Sequence, residues 1–365
     1  MSVTIKDVAK AAKVSVATVS RALNGHESVS ADARKRVIDA ARKLRYVPHS
    51  AARSLITRRT QTIGVLLPDL HGEFFSELIR GIDQAARREG LHILVSSSHD
   101  DAKEAVAAIR TMSGRVDGLL IMSPHIDARL LKDTLPTGLP IVLMNTPVDD
   151  VDYDTIAIDN YWGAHAMVRH LVGRGYRSIA LIAGPEHNFD AKERLRGYRD
   201  ALAELLPDSP ARIFSGDFSE ESGYRAGQRI IGLRDRPDAV FAANDMMAVG
   251  CQFALTEVGL QVPRDIGLAG FDDIPMARFV SPPLTTVRVR IAELGQQALE
   301  RLVAGFSPQD NVLTPGHTLR AELVIRSSCE RPSSPQARTR ATQSLNRVAK
   351  PADILPGITG VETPT

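Results

Sequence analysis

The sequence predicts an α/β protein in two unlike parts: a small all-α head, then a two-lobed core of parallel sheets with flanking helices. Three observations carry this. The N-terminal segment holds short helical runs separated by tight turns, the charge changes sign near residue 60, and from Ile63 onward apolar strand runs alternate with amphipathic helices, in a pattern that then repeats.

In TIKDVAKAAKVSVATVSRAL, residues 4–23, Asp7, Lys10 and Lys13 break every apolar stretch that a signal peptide would need, so export is not expected. Thr4 suits an N-cap with Asp7 three residues on, and Ile5, Val8, Ala9 and Ala12 fall at helical spacing, which predicts a helix from Ile5 to Ala12. Ser15 starts a second helix after room for only a tight turn. Its Val19 and Leu23 face inward, while Val16, Ala17, Ser20 and Arg21 face outward. Two helices joined in this way form a helix-turn-helix. Ser30 caps a third, about Ala31 to Leu44, whose Val37, Ala40 and Leu44 can close a small core. The pattern alone equally suits a helical hairpin without a ligand or a protein-docking module. Charge favours another reading: residues 1–60 hold 13 Lys and Arg against 4 Asp and Glu, net +9, whereas the remainder carries −7. A basic head that opens on a helix-turn-helix is the electrostatic footprint of a protein that sits on phosphates.

Beyond the head, TIGVLLPD, LHILVSSS, VDGLLIMSP and IVLMNT read as strands separated by helices from Phe74 to Glu89, near 102–112 and near 127–135. TIAIDN, SIALIAGP, RIFSGD, AVFAAND and IGLAGFD repeat the theme with helices at 161–174, 191–205, 219–234 and 246–257. A closing helix near 291–305 precedes ELVIRSS. Such alternation means parallel sheet covered on both faces, and the length suits two lobes of comparable size. No transmembrane run occurs in the sequence. After Ser328 the chain is poor in aromatics and broken by prolines, a composition expected to stay disordered.

Open parallel sheets bind ligands beyond the carboxyl ends of their strands, so the residues just past each strand are the candidates. These are Phe74 and Phe75, Asp159, then Asn188, Asp190 and Arg194, then Phe218, Asn244 with Asp245, and Asp272. A forked donor, an amide and a carboxylate above an aromatic face suit a saccharide. Asp245 also fits as a cap of the following helix, and Trp162 reads as a buried helix residue ahead of a second stacking platform. The sequence has no phosphate loop, no HExxH and no GxSxG, and Cys251 and Cys329 lack CxxC spacing, so neither catalysis nor a metal or cofactor is expected.

TIKDVAKAAKVSVATVSRALNG, VSADARKRV and LRYVPHSAARSL together resemble the DNA-binding head and hinge of the lactose-repressor (LacI/GalR-type) family, and the resemblance extends over about residues 3–328. It implies a head at 1–47, a hinge helix and linker at 48–60, a periplasmic-binding-protein-like core for effector binding and dimerisation at 61–328, and a tail at 329–365. By the same resemblance Val16, Ala17 and Arg21 reach base edges, and Thr4, Ser15, Thr18, Asn24, Ser30 and Tyr46 contact phosphates. In the hinge, Ala52 and Leu55 line one short helical face, and Leu55 wedges into a base step through the minor groove. Arg194, Asn244 and Asp272 would hold effector polar groups, with Phe74, Phe75 and Phe218 stacked on it. The implied protein is a cytoplasmic, nucleoid-associated, homodimeric regulator, read as a repressor, on palindromic operator DNA. Its effector would be a sugar or sugar derivative ahead of a purine or nucleoside, and a solute-binding protein or an enzyme on the same core is the remoter alternative. The tail lacks the leucine heptads of tetrameric members, which favours a dimer.

Overall fold

The computed structural model describes residues 3–23, 28–46, 59–126, 128–146, 153–306 and 316–331. Asn24, the hinge residues Ala52 and Leu55, and 332–365 of the expected tail lie outside these residues.

The head is three helices, α1 (Ile5–Ala12), α2 (Val16–Leu23) and α3 (Ala31–Lys43). The Asp7 carboxylate accepts from both the Thr4 N–H, at 2.9 Å, and the Thr4 hydroxyl, at 2.8 Å, and these two bonds lower its pKa. Lys13 takes a left-handed conformation, φ 53°, and Val14 N–H donates back to Ala9 O at 3.1 Å, which makes the tight turn. Val8, Val19 and Val37 are fully buried at the centre. Around them Ala22 and Ala41 are buried where Leu23 and Ala40 with Leu44 were expected. In so small a core the alanines let the helices approach, and the two leucines pack at the rim.

One lobe is built on a six-stranded, wholly parallel sheet. Its strands are β1 (Thr62–Leu67), β2 (His92–Ser97), β3 (Gly118–Met122), β4 (Ile141–Met144), β5 (Asp154–Ile158) and β11 (His317–Leu319), in the order β11-β5-β4-β3-β1-β2. Every residue of β3 and β4 is buried, as expected of strands covered on both faces, whereas β2 at the edge alternates. Helices α4 (Glu73–Arg88), α5 (Ala102–Met112), α6 (Ala128–Thr134) and, from far along the chain, α11 (Ile291–Ala304) cover it. The other lobe carries the parallel order β7-β6-β8-β9: β6 (Ile179–Ala183), β7 (Arg212–Ser215), β8 (Ala239–Ala242) and β9 (Gly267–Ala269). Helices α7 (Asn160–Gly173) and α8 (Phe189–Leu205) pair in one layer, α9 (Glu220–Ile231) and α10 (Asp245–Glu257) in another.

The chain passes between lobes three times: from β5 into α7, from β10 (Thr286–Arg288) into α11, and from β11 into β12 (Glu322–Val324). β10 and β12 pair antiparallel at this boundary. β10 and β11 escaped the sequence reading because each has a single apolar residue, Val287 and Leu319, without the apolar run that announced the equally short β9 and β12. The packed core also runs past Ser328. Cys329 is fully buried with its thiol 2.9 Å from Leu268 O, and Arg331 pairs with Asp238 at 2.8 Å while lying over the Tyr176 ring, so order extends three residues into the segment expected to be disordered. Trp162 corrects a second expectation: it is 58% exposed, set edge-on against Tyr161 and His165, because Gly163 and Ala164 rather than Trp162 turn to the core. Among the described residues no helix is long and apolar enough to cross a membrane.

Candidate functional site

Two sites can be built from these elements. On the head, α2 presents Val16, Ala17 and Arg21 to solvent, Val16 being 41% exposed, on the face opposite Val19. The hydroxyls flank this face as helix caps: Ser15 Oγ accepts from Thr18 N–H at 3.1 Å and lies 2.8 Å from the Thr18 hydroxyl, and Ser30 Oγ accepts from Ala33 N–H at 3.4 Å. A capping oxygen spends one lone pair on the helix and leaves its hydroxyl able to meet an anion at the helix N-terminus, as Ser15 and Ser30 can; Thr18, the third residue of α2, is capped by Ser15 and is not itself a cap. Tyr46 is half-buried at the end of the head, its N–H bonded to Ala41 O at 2.9 Å.

The second site is the cavity between the lobes, about 80 Å³, lined by Phe74, Phe75, Asn188, Asp190, Arg194, Phe218, Asn244 and Asp272. Eight of the ten strand-end candidates, all but Asp159 and Asp245, therefore meet in one place. Phe74 and Phe75, in the first turn of α4, stand edge to face with centroids 5.3 Å apart, and Phe218 opposes them from the loop before α9. Arg194 projects from the second turn of α8 and is 3% exposed. Its Nε donates to Asn160 Oδ1 at 2.8 Å and its Nη1 to Ala243 O at 2.5 Å, while Nη2 lies 3.1 Å from Asp272 Oδ1. The guanidinium rests on Phe271, 3.8 Å from the ring centroid. Asp272 Oδ1 is buried and in Coulombic contact with the arginine, yet no donor among the described residues is aligned on it. That oxygen is ready to accept from a ligand hydroxyl or N–H.

Asp190 accepts from Asn145 Nδ2 at 3.1 Å and from Asn160 Nδ2 at 2.8 Å. Burial pushes both Asp190 and Asp272 up to about 6, and the Arg194 charge opposes that rise without cancelling it. Asn145 belongs to the first lobe, at the carboxyl end of β4, so its bond to Asp190 ties one lobe to the other. Phe189 N–H to Pro124 O, 3.0 Å, and Met276 N–H to the Glu73 carboxylate, 2.8 Å, do the same. Asn145, Phe218, Asp272 and Asp273 all have positive φ, at 44°, 71°, 110° and 57°. Four non-glycine residues in a conformation that costs energy, all around or beside one cavity, mark it as a place where geometry is held for a purpose.

Two expectations shift by one residue. Asp159 does not reach the cavity, because its side chain turns back to cap α7 by accepting from Trp162 N–H at 3.1 Å; Asn160, the next residue, takes the buried place. Asp245 is not the cap of α10. Asn244 is, accepting from Met247 N–H at 2.9 Å while its Nδ2 donates to Phe218 O at 2.9 Å. Asp245 is instead fully buried, accepting from Ile274 N–H at 2.9 Å and from the Thr286 hydroxyl at 2.5 Å. Burial and the nearby Asp272 raise its pKa well above the usual carboxylate value. It thereby fastens the loop that carries Asp272 to the crossing strand β10. Asn145 and Asn160 were missed, although both sit just past strands and the carboxyl-end rule that selected the others covers them.

Comparison with known proteins follows the same division. Residues 4–49 match the model for bacterial regulatory proteins of the lacI family, and residues 168–329 match that for a periplasmic-binding-protein-like domain. The ribose operon repressor of Haemophilus influenzae is 35% identical over 328 residues, 88% of this chain and 98% of its own. The HTH-type transcriptional repressor PurR of Mannheimia succiniciproducens is 34% identical over 332 residues, 90% and 99%. Among solved structures, the lac repressor dimer bound to operator and the anti-inducer ONPF superposes with a TM-score of 0.80 at 31% identity, covering 90% of this chain and 99% of that one.

Proposed function

The chain belongs to the lacI family of bacterial regulatory proteins, a non-enzymatic, effector-controlled, DNA-binding repressor, and on that premise we propose which residues do its work and what its effector is. Arg21 reads a guanine through two parallel donors to O6 and N7, and Val16 and Ala17 read thymine methyls or groove shape. Thr4, Ser15, Thr18, Asn24, Ser30 and Tyr46 fix register on phosphates, which carry no sequence information themselves. The hinge that carries Ala52 and Leu55, outside the described residues, pairs with a second subunit's hinge, and Leu55 wedges the central step of a palindromic operator. The protein works as a homodimer in the cytoplasm, on the nucleoid. Phe253, Met276 and Phe279, at 60%, 43% and 79% exposure, are apolar surface that a second copy would cover.

The effector is a neutral, hydroxyl-rich sugar. What supports this is the charge of the cavity: two buried carboxylates, Asp190 and Asp272, surround one buried guanidinium. The surplus is negative, so the site favours a ligand rich in donors and disfavours a phosphorylated or acidic one. Phe74, Phe75 and Phe218 supply the apolar faces on which a sugar ring lies. A purine or nucleoside remains the second reading, since the same rings can stack on a base. A melting-temperature screen of ribose, other neutral sugars, ribose 5-phosphate and nucleobases separates the readings, because a ligand that prefers the folded state raises its stability by mass action. Stabilisation by a neutral sugar, abolished in Arg194→Ala, Asn244→Ala and Asp272→Ala, is the expected result. Stabilisation by nucleobases alone overturns the sugar, and wild-type binding in all three variants overturns the site.

A further inference from the structure

A second concavity of the core lies away from the cleft, on the outer side of α8. It has a volume of about 510 Å³, within the roughly 300–1,000 Å³ typical of small-molecule sites. β7 forms one wall, and among the described residues this strand is the edge of its sheet, paired with β6 alone. Leu195, Ile213 and Phe214 give the groove an apolar floor, Ile213 being 38% exposed.

Its rim is cationic. Lys192 and Arg199 stand seven residues apart on α8, two turns along one face, and Arg229 reaches over from α9 on the other side of the edge strand. Glu186 is the only acidic lining residue, and none of the three cations has a carboxylate within ion-pair distance among the described residues. Their neighbours behave differently: Arg196 pairs with Glu193, Arg212 with Asp235 and Arg225 with Glu221. Three cations left without partners around an apolar floor call for an anionic head on an apolar body.

We propose that this groove is a second ligand site, selective for a small organic phosphate that carries an apolar or aromatic group, and distinct from the effector cleft. The two are mechanically adjacent. Ala191 and Lys192 line the groove from the same two turns of α8 whose Asp190 and Arg194 line the cleft. Gly184 lines it as well, and the Phe218 ring presses so closely on Gly184 that a Cβ there would come within 2.5 Å of it. An occupant that shifts α8 or the loop after β6 therefore moves Arg194 and Phe218, and the two ligands change each other's affinity reciprocally.

Phenyl phosphate is the probe, titrated calorimetrically into the full-length protein, with phenol and inorganic phosphate as controls. The expected result is binding of phenyl phosphate more tightly than either control. It should be weakened by about tenfold or more in the double variant Lys192→Ala, Arg229→Ala, the loss of charge-assisted contacts at exposed positions that folding does not need. Phe75→Ala, which alters the cleft from the other lobe and leaves α8 intact, and Arg21→Ala should bind it as the wild type does. The proposal is overturned if no binding is seen, if phenol binds equally, or if the double variant binds unchanged. It is also overturned if Phe75→Ala abolishes binding, which places the probe in the cleft, or if Arg21→Ala does, which places it on the head.

Discussion

Arg194→Met keeps a straight apolar chain against Phe271 and removes only the guanidinium. The variant loses the donors to Asn160 and Ala243 and the charge beside Asp272. Asp190 and Asp272, raised to about 6 by burial even with that cation present, lose the one charge that holds them down and rise further. Near pH 8 the fold must then either keep carboxylates buried without a counter-ion or take up protons against the pH, and breaking a buried ion pair costs about 3–5 kcal/mol. Near pH 5 the protons bind readily and the cost shrinks. The sign follows from linkage. A carboxyl whose folded pKa lies above its unfolded 3.8 contributes stability that is fully present below that value and is lost as pH rises through the folded pKa. A variant with still higher folded values loses it over a longer span, so its deficit against wild type must widen between about pH 5 and about pH 8. Melting temperatures of both proteins, at one fixed protein concentration and at those two pH values, measure the effect. Equal deficits at the two would show that shape or lost hydrogen bonding, and not charge, governs Arg194, and would remove the charge argument for a neutral effector.

Three further outcomes are expected. A sugar that donates hydrogen bonds to Asp190 and Asp272 binds their ionised forms, so its affinity should rise with pH through about 6 and its binding should release protons, read as a dependence of calorimetric heat on the buffer's ionisation enthalpy. Arg21→Ala should lose about 1–3 kcal/mol on the cognate operator and relax one base position in each half-site; equal weakening on random DNA would show a phosphate contact instead. Gly250→Ala would place a Cβ 1.9 Å from Glu220 O and force α9 from α10, at a cost of about 1–3 kcal/mol. Because Asn244 caps α10 and bonds Phe218 just before α9, the same substitution should weaken effector binding, and an unchanged affinity would show that the cleft does not feel that contact.

Much of this was legible in the sequence where the physics is local. Thr4 with Asp7, Ser15, Ser30 and the apolar spacing define three helices because caps and periodicity act within a few residues, and the strand runs announce themselves because β1, β3, β4, β6 and β8 are buried on both faces. The strand-end rule gathered most of the cleft for the same reason. It failed by one residue at Asp159 and Asn160, where the backbone of the turn, φ −77° and ψ 75° at Asp159, decides which side chain faces inward, and it passed over Asn145, whose φ of 44° swings it toward the other lobe. Trp162 misled because a large apolar ring on a helix says nothing of which way that helix is rotated. Asp245 and Cys329 depended on contacts with segments far along the chain, β10 and β9, which no local pattern encodes.

The three passages between lobes have a consequence for how the molecule is made. Residues 160–288, the greater part of one lobe, form a continuous run and can collapse as they leave the ribosome. The other lobe cannot be finished then: its helix α11 and its edge strand β11 are supplied only by residues 291–319, after the whole of its neighbour has been synthesised. The basic head emerges before the core, and the lobe that follows it is among the last to close. A nascent or truncated chain thus carries a head without a completed platform behind it. Truncations before β11 should leave that lobe's β5 edge unpaired, and the two lobes cannot be expressed as separate fragments cut at a single point.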